Sequence, residues 1–313
     1  MMVNALERAV SDPKRFPLAH SISPYQELGA YETLWLQPNS SFRTIAQLFR
    51  KYSDAVPGEF VDPEVAGRHA QKVVSICRER GVKEFGVRIH GACEYPERLR
   101  DAEHPVQLLY YCGDWSLADH PRAIAIVGTR NPSDEGIRRT RRLVRRLVAD
   151  GVVIVSGMAK GIDTVAHETA MEAGGRTIAV IGTPICEVYP KENHLLQSRL
   201  AAEQLIVSQV PVLKYLDQDW RSNRAFFPER NVTMSALTFA TVIVEAGEKS
   251  GTLIQARAAL GQGRKLFILD SNFRNLDLTW PDTYAKRGAI RVVEYEQIAS
   301  HLPAEQDQDG GAF

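Results

Sequence analysis

The sequence lacks an excess of charge of either sign. Among its 313 residues, 38 Lys and Arg are balanced by 38 Asp and Glu, so the formal net charge at pH 7 is zero. The charge of the whole chain therefore gives no argument for a nucleic-acid partner. Any such argument has to depend on local clusters of charge.

Cysteines and long apolar runs are also scarce. The four cysteines (Cys77, Cys93, Cys112 and Cys186) show no CxxC or other metal-ligand spacing, which predicts reduced thiols and no metal site. No apolar run approaches the ~18 residues of a membrane span. The first residues, MMVNALERAVSDPKRF, are too polar for a secretory signal. We therefore expect a cytoplasmic protein with no membrane contact.

Two common nucleotide-binding motifs are absent. The sequence has no GxGxxG, so a dinucleotide is not supported, and we expect no cofactor. The stretch GMAKGID (157–163) differs from a Walker A loop, because its lysine precedes the second glycine and no GK[ST] follows.

The chain divides into segments of different character. Residues 1–25 predict an extended or partly helical arm, and apolar residues at helical spacing from Tyr31 to about Arg80 predict a small helical domain. We therefore expect an N-terminal helical domain with its arm at 1–83 and a larger domain at 84–302. The polar, glycine-containing residues 303–313 predict a disordered tail.

The larger domain alternates strand and helix patterns. Strands separated by helices form βαβ units, so the pattern predicts an α/β fold with a mostly parallel sheet. The predicted strands are Ala123–Val127, Val152–Val155, Thr177–Ile181, Leu205–Val210, Thr241–Glu245, Lys265–Leu269 and Ile290–Val293, and the predicted helices are Glu135–Ala149, Asp163–Ala173, Lys191–Glu203 and Thr252–Leu260.

Glycine turns and cations follow several of these strands. Ligands bind at the carboxyl edge of an open α/β sheet, and glycine turns there let backbone N–H groups face an anion. The loops therefore predict a phosphate-seeking site. Its candidate residues are Gly128 and Arg130 after the first strand, Gly157, Lys160 and Gly161 after the second, Lys191 and Asn193 after the third, and Lys249 and Ser250 after the fifth.

A connection from Val212 to Ser235 shows no repeating pattern and mixes aromatic with basic residues. A long loop in a compact domain indicates function, and aromatic rings beside arginines suit single-stranded nucleic acid. The other interpretation is that the phenylalanines anchor the loop to the core. The residues concerned are Trp220, Arg221, Arg224, Phe226 and Phe227, followed by the further site candidates Arg230 and Asn231.

Two polar residues after the second strand have structural explanations. Asp163 is placed to N-cap a helix that begins at Thr164. His167 lies one turn further along, a position more typical of a packed or hydrogen-bonded side chain than of a catalytic one.

The predicted helix after Gly128 carries six arginines on one face. At ~100° per residue they fall within an arc of roughly 160°, opposite the apolar residues. This face is either solvated surface or a site that attracts a polyanion. Because the arginines repel one another, we expect an acidic or phosphate partner, inside the molecule or outside it. The six are Arg138, Arg139, Arg141, Arg142, Arg145 and Arg146.

Taken in order, the motifs resemble those of the DprA/Smf family of DNA-processing proteins over roughly residues 85–300. The matching stretches are EYPERLRD (94–101), AIVGTRNPSDEG (125–136), SGMAKGIDTVAHETAMEAGGRTIAVIG (156–182), VYPKEN (188–193), FPERN (227–231), VIVEAGEKSGTLIQARAALGQGR (242–264) and KRGAIRV (286–292).

The resemblance implies an extended Rossmann-like, doubly wound domain behind a small SAM-like or helix-hairpin-helix-like domain. It also implies a homodimer, not an enzyme, that binds single-stranded DNA. Its role would lie in natural transformation and recombination, where it protects incoming DNA and loads the recombinase RecA. By motif match, the candidates for phosphate or base contacts are Arg130, Lys160, Lys191, Asn193, Arg230, Asn231 and Lys249.

Two alternatives belong to other functional classes. The first is an enzyme of the related nucleoside-phosphate hydrolase superfamily, whose PGGxGTxxE motif supplies a catalytic Glu. Here the prolyl-diglycine is absent and Gln255 takes the place of that Glu, and an amide cannot act as a carboxylate base. The second is a small-nucleotide sensor that signals through its helical N-terminal region.

Overall fold

The computed structural model describes residues 22–92 and 94–304. Most of the predicted arm, all but the first two residues of the predicted tail, and Cys93 lie outside the described residues. No helix in the described part of the chain is both long and apolar enough to cross a lipid bilayer.

From residue 22 onward, three α-helices precede the sheet. The hydroxyl of Ser41 accepts a hydrogen bond from the Thr44 amide and caps the second of them. The carboxylate of Asp62 caps the third, which has a proline in its first turn, where no backbone N–H is required. The helices are α1 (Pro24–Trp35), α2 (Phe42–Lys51) and α3 (Pro63–Glu79).

A nine-stranded sheet follows, in the order β1-β2-β6-β5-β4-β3-β7-β8-β9. Strands β3 to β9 are parallel, and the first two form an antiparallel hairpin on the β6 edge. The strands are β1 (Gly86–Ile89), β2 (Leu108–Gly113), β3 (Ala123–Val127), β4 (Val153–Ser156), β5 (Thr177–Ile181), β6 (Leu205–Ser208), β7 (Ala240–Ile243), β8 (Lys265–Leu269) and β9 (Ile290–Val292).

The chain runs outward from β3 to β6 and then returns to place β7 on the other side of β3. This reversal is the switch point of a doubly wound sheet, where connecting loops diverge and leave a crevice. The helices of this region are α4 (Asp134–Ala149), α5 (Ile162–Glu172), α6 (His194–Glu203), α7 (Val212–Asp217), α8 (Trp220–Asn223), α9 (Phe226–Leu237), α10 (Thr252–Gly261), α11 (Asp270–Arg274), α12 (Trp280–Ala285) and α13 (Glu296–Ala299).

The helices cover both faces of the sheet with apolar side chains. On one face, Leu143 and Val144 of α4 pack with Ile124 and Ile126 of β3. The larger core, on the other face, includes side chains from α9, α10 and the N-terminal helices. Burial on both faces explains why the central strands read as continuous apolar runs.

The N-terminal helices share that larger core with the sheet domain. Trp35 of α1 and Phe42 of α2 pack against Phe226 of α9, with ring centroids 5.9 Å and 6.0 Å apart. The predicted domain boundary near residue 83 stays a prediction.

The predicted α/β class with a mostly parallel, doubly wound, Rossmann-like sheet is confirmed, and all seven predicted strands are present within a few residues of their expected ends. One helix starts later than predicted. Residues Lys191–Asn193 form a separate 3₁₀ turn, and α6 begins only at His194.

Candidate nucleic-acid interface

A cleft of about 780 Å³ opens at the switch point, between the loops after β3 and β7 and the helices α8 to α10. We call it the switch-point cleft. A smaller cavity of about 110 Å³ adjoins it and shares Arg130, Ala159, Tyr189, Phe227 and Arg230 with it. The residues that line the switch-point cleft include Gly128, Arg130, Asp163, Tyr189, Tyr215, Trp220, Arg224, Phe227, Arg230, Asn231, Lys249, Ser250 and Gln255.

Backbone and carboxylate hydrogen bonds tie the rim of the cleft together. The amide of Thr129 donates to the carbonyl of Glu245 at 2.7 Å, and the Glu245 carboxylate accepts from the hydroxyl of Ser133 at 2.7 Å. The hydroxyl of Thr252 donates to the carbonyl of Gly128 at 3.3 Å. The loops after β3 and β7 are therefore held in one arrangement, which presents Arg130 and Lys249 to the same cleft.

Two of the candidate glycines allow these loops to approach one another. A Cβ atom on Gly161, which has φ of +82°, would lie 2.5 Å from the carbonyl oxygen of Thr129. A Cβ atom on Gly128 would lie 2.6 Å from Ile162. Because neither site has room for a side chain, the glycines are required by loop packing alone, with or without a ligand.

Arg230 lies beneath the cleft and is almost completely buried. Its Nη1 donates to the carbonyl of Val180 at 2.5 Å, and its Nε donates to the side chain of Asn231 at 2.9 Å. Burial lowers the pKa of the guanidinium, and the nearby charge of Asp163 raises it. Arg230 therefore places a fixed positive charge under the floor of the cleft.

Asp163 faces the same guanidinium. A Cβ atom on Gly157 would lie 2.5 Å from both Arg230 Nη1 and Asp163 Oδ2, so the glycine makes room for the two side chains. Burial raises the pKa of Asp163 to about 6, and the positive charge of Arg230 opposes that rise. The prediction that Asp163 N-caps a helix from Thr164 is wrong. Helix α5 begins at Ile162 with Gly161 as its N-cap, and the Asp163 carboxylate accepts a hydrogen bond from the Ala159 amide.

His167 is completely buried, and its ring nitrogens lie 2.7 Å from the carbonyl oxygen of Gly157 and 2.7 Å from the hydroxyl of Thr177. Burial lowers its pKa to about 4, so the ring is neutral at pH 7. The prediction of a packed, hydrogen-bonded histidine is confirmed.

Aromatic rings line one wall of the cleft. Trp220 is 65% exposed, beside the guanidinium groups of Arg221 and Arg224, and Tyr189 is 48% exposed. The rings of Tyr189 and Phe227 lie 5.5 Å apart. Exposed rings beside arginines offer stacking faces and charge together.

The segment from Val212 to Ser235 is helical, so the prediction of a long loop is wrong. It forms α7, α8 and most of α9, and Pro228 occupies the first turn of α9, where proline is tolerated. Its two phenylalanines have different roles. Phe226 is buried in the core, while Phe227 lines the cleft.

Six of the predicted site residues line the switch-point cleft, and a seventh lines the adjoining cavity. The six are Gly128, Arg130, Arg230, Asn231, Lys249 and Ser250, and the seventh is Lys160. The ammonium of Lys160 lies 2.6 Å from the Glu192 carboxylate and lowers the pKa of that group. Both side chains are more than half exposed, so this ion pair leaves Lys160 accessible to another anion.

The other four predicted residues line neither cavity. Gly157 and Gly161 lie behind the rim, where they allow the close contacts described above. The side chain of Asn193 is buried, and its amide donates to the Met158 carbonyl and to the Thr164 hydroxyl, each at 2.9 Å. Lys191 is exposed on the 3₁₀ turn. The amide donors of Asn193 are thus already used inside the protein.

Sequence reasoning missed Tyr189 and Tyr215 as lining residues. Tyr189 belongs to the VYPKEN motif, in which only the basic and amide residues are predicted to bind. The proline that follows disfavours a helical backbone at Tyr189, but this local signal does not place the ring in the cleft. Tyr215 lies within the segment interpreted as a loop, and its burial against Phe226 depends on helix packing.

Gln255 occupies the position of the hydrolases' catalytic Glu, but its amide cannot act as a carboxylate base. Its side chain is 1% exposed, and its Nε2 donates to the hydroxyl of Thr241 at 3.3 Å. An amide in this position supplies no ionisable group to the cleft.

The fold and the site define a Rossmann-like protein with a basic, aromatic-lined cleft at the switch point of its sheet. The family model for DNA recombination-mediator protein A matches residues 86–303. The chain belongs to this family, which includes the proteins called DprA and Smf.

Two relatives show the extent of the similarity. DNA processing protein DprA of Bacillus subtilis is 34% identical over 232 residues, which cover 74% of this chain and 75% of the relative. Protein Smf of Escherichia coli is 37% identical over 212 residues, which cover 66% of this chain and 54% of the relative. The chain thus matches about half the length of the E. coli protein.

Two solved structures share the fold. DNA processing protein A of Streptococcus pneumoniae superposes with a TM-score of 0.63 and 25% identity, over 97% of this chain and 100% of that one. The Helicobacter pylori protein, solved for its single-stranded DNA binding mode, gives a TM-score of 0.59 and 28% identity, over 70% of this chain and 95% of that one.

Proposed function

We propose that this protein binds single-stranded DNA in the switch-point cleft and acts as a non-enzymatic mediator of DNA recombination. The observation that carries the proposal is the arrangement of the cleft, which places cations and exposed aromatic rings around one opening. The H. pylori relative, whose single-stranded DNA binding mode is described by its structure, supports the proposal.

The charges of the cleft favour phosphate. Arg130 and Lys249 extend from loops on opposite sides of the switch point, and Arg224 lies on the helical wall. The buried guanidinium of Arg230 lies beneath the cleft as well, where the carboxylate of Asp163 offsets its charge. When these cations neutralise phosphates, counterions condensed on the nucleic acid are released, so the binding affinity falls steeply as salt rises.

The rings favour bases that are unpaired. A stacking platform requires an exposed base face, which a duplex does not offer. Trp220 and Tyr189 are accessible for such stacking. The cleft is therefore expected to prefer single-stranded over double-stranded DNA.

The wider biological role is inferred from membership of the family. We infer that the protein is a cytoplasmic homodimer that protects single-stranded DNA during natural transformation and loads RecA onto it. We also infer that it is not an enzyme, since Gln255 stands where the nucleoside-phosphate hydrolases have their catalytic Glu. Release of free base from nucleoside monophosphates by the purified protein would contradict that part of the proposal.

The test is a fluorescence-anisotropy titration with single-stranded and double-stranded oligonucleotides at two salt concentrations. We expect Arg130→Ala and Lys249→Ala each to weaken single-strand binding, and to lower the salt slope of log K by about 0.7 for each phosphate that the variant no longer neutralises. Lys265→Ala is the matched control, because Lys265 is an exposed lysine at the amino end of β8, on the opposite edge of the sheet. Equal affinity in all three variants would contradict binding in the cleft.

A further inference from the structure

The arginine-rich helix α4 presents a charged face that the cleft does not include. Thr140, Leu143 and Leu147 bury one side of the helix against the sheet. The other side exposes Arg141 and Arg145, together with Arg138, Arg142 and Arg146. The structure thus separates an apolar face from a basic one, as the sequence predicts.

Among the described residues, acidic groups form ion pairs only at the two ends of this face. Near the N-terminus, Glu135 lies 2.7 Å from Arg138 and 3.3 Å from Arg139. Near the C-terminus, Arg146 lies 2.8 Å from Glu296 and 4.1 Å from the centre of the Tyr295 ring.

In the part of the chain that the structure describes, the middle of the face has no such partner. Among residues 22–92 and 94–304, no carboxylate lies within ion-pair distance of Arg141, Arg142 or Arg145. Arg142 acts on Glu135 only through its charge, which helps to lower the pKa of that carboxyl. We call Arg141, Arg142 and Arg145 the arginine track.

The track begins close to the proposed DNA site. Arg130 lines the cleft, and three residues later the hydroxyl of Ser133 caps α4 by accepting from the Gly136 amide. At about 1.5 Å per residue, Arg141 and Arg145 lie roughly 12 and 18 Å along the helix from this cap. A strand that leaves the cleft past Arg130 and follows α4 passes the acidic first turn, with Asp134 and Glu135, and then meets the track.

We propose that the arginine track binds phosphates of the same DNA strand after it leaves the switch-point cleft. The proposal rests on the proposed function and extends it, since it makes affinity depend on strand length. Guanidinium groups bind phosphate oxygens in a bidentate way, and two of these arginines lie one helical turn apart, so successive phosphates can be held. A short oligonucleotide fills the cleft alone, and a longer one also covers the track.

The experiment compares fluorescein-labelled single-stranded oligonucleotides of about six and about 25 nucleotides, titrated at several salt concentrations. The test variant is R141Q/R142Q/R145Q, because glutamine keeps the helix propensity and removes three charges. The matched control is R68Q/K72Q/R78Q, which removes three exposed cations from α3. Circular dichroism and thermal midpoints check that both variants are folded.

We expect the test variant to bind the short strand as the wild type does and the long strand at least about tenfold more weakly, with a salt slope smaller by about 2. The control variant should bind both strands like the wild type. The proposal for the arginine track would be overturned if the test variant kept the wild-type affinity for the long strand. It would also be overturned if the control variant lost as much affinity as the test variant.

The proposed function fails in a different way. If the wild type binds neither strand, or if Lys249→Ala leaves the short-strand affinity unchanged, the cleft is not the DNA site and the track is overturned with it. If short-strand binding depends on Lys249 while the test variant keeps full long-strand affinity, only the track is wrong.

Discussion

At the scale of single residues, the site depends on close contacts that tolerate no added atoms. Gly161 shows this most clearly, because its positive φ and its contact with the Thr129 carbonyl both exclude a side chain. Gly174 has a similar φ of +72°, but a Cβ atom there would meet nothing within 4 Å. Comparing alanine substitutions at Gly161 and Gly174 therefore distinguishes the cost of backbone strain from the cost of steric conflict.

We expect Gly161→Ala to lower the free energy of unfolding by about 3 kcal/mol or more, and Gly174→Ala by only about 1 kcal/mol. The difference arises because alanine at 161 must push apart the loops after β3 and β4, whereas alanine at 174 bears only the cost of its left-handed backbone. Urea unfolding of both variants measures it. Equal losses would show that the rim can relax.

At the scale of elements, helix α1 supplies a cap for helix α7. The carboxylate of Glu32 is completely buried and accepts from the amides of Val212 and Leu213 at 2.7 and 2.9 Å, and also from the hydroxyl of Tyr110. An acidic group at a helix N-terminus satisfies amides that have no partner within the helix. This cap joins the N-terminal region to the sheet domain.

Glu32 also makes stability depend on pH. Burial raises its pKa to about 7 from 4.5, and the hydrogen bonds from Tyr110, Leu213 and Val212 oppose that rise. The folded state therefore holds this proton more tightly than the unfolded chain. The stability it contributes is present below pH 4.5 and is lost as the pH rises to about 7.

We predict that the free energy of unfolding of the wild type falls by up to roughly 3 kcal/mol more than that of Glu32→Gln between about pH 5 and pH 8. The amide of the Glu32→Gln side chain lowers the free energy of unfolding at every pH, but it adds no pH dependence because it cannot titrate. Urea unfolding at the two pH values gives the comparison, and Glu27, whose pKa is raised to about 6, remains in both proteins. Parallel curves for the two proteins would contradict the assignment.

At the scale of the whole molecule, one core runs from the N-terminal helices into the sheet domain. Phe226 stands at its centre, in contact with Trp35, Phe42 and Tyr215. A continuous core favours a single cooperative unfolding transition.

We expect tryptophan fluorescence and circular dichroism to give the same urea midpoint. Phe226→Ala should lower the free energy of unfolding measured by each method by the same amount, about 3–5 kcal/mol. Leu276→Ala is the control, because Leu276 is 95% exposed and its truncation should change stability by less than about 0.5 kcal/mol. Two separate transitions, with only one of them moved by Phe226→Ala, would contradict a shared core.

The sequence by itself determined the strands, the parallel sheet and the loops with cations. Runs such as Ala123–Val127 are apolar throughout because both faces of a parallel strand are buried, and this pattern needs no knowledge of neighbours. The same local logic correctly placed Gly128, Arg130 and Lys249 at the carboxyl edge.

Only the tertiary structure decided how the remaining residues are used. Asn193 looks like a ligand in sequence, yet its amide serves Met158 and Thr164 on other elements. Residues 212–235 look like a loop, yet they are helical because Phe226 and Glu32 hold them against the N-terminal helices. Such interactions join residues up to 181 positions apart. Local patterns record propensity and spacing, whereas hydrogen-bond partners and burial depend on which distant segments fold together.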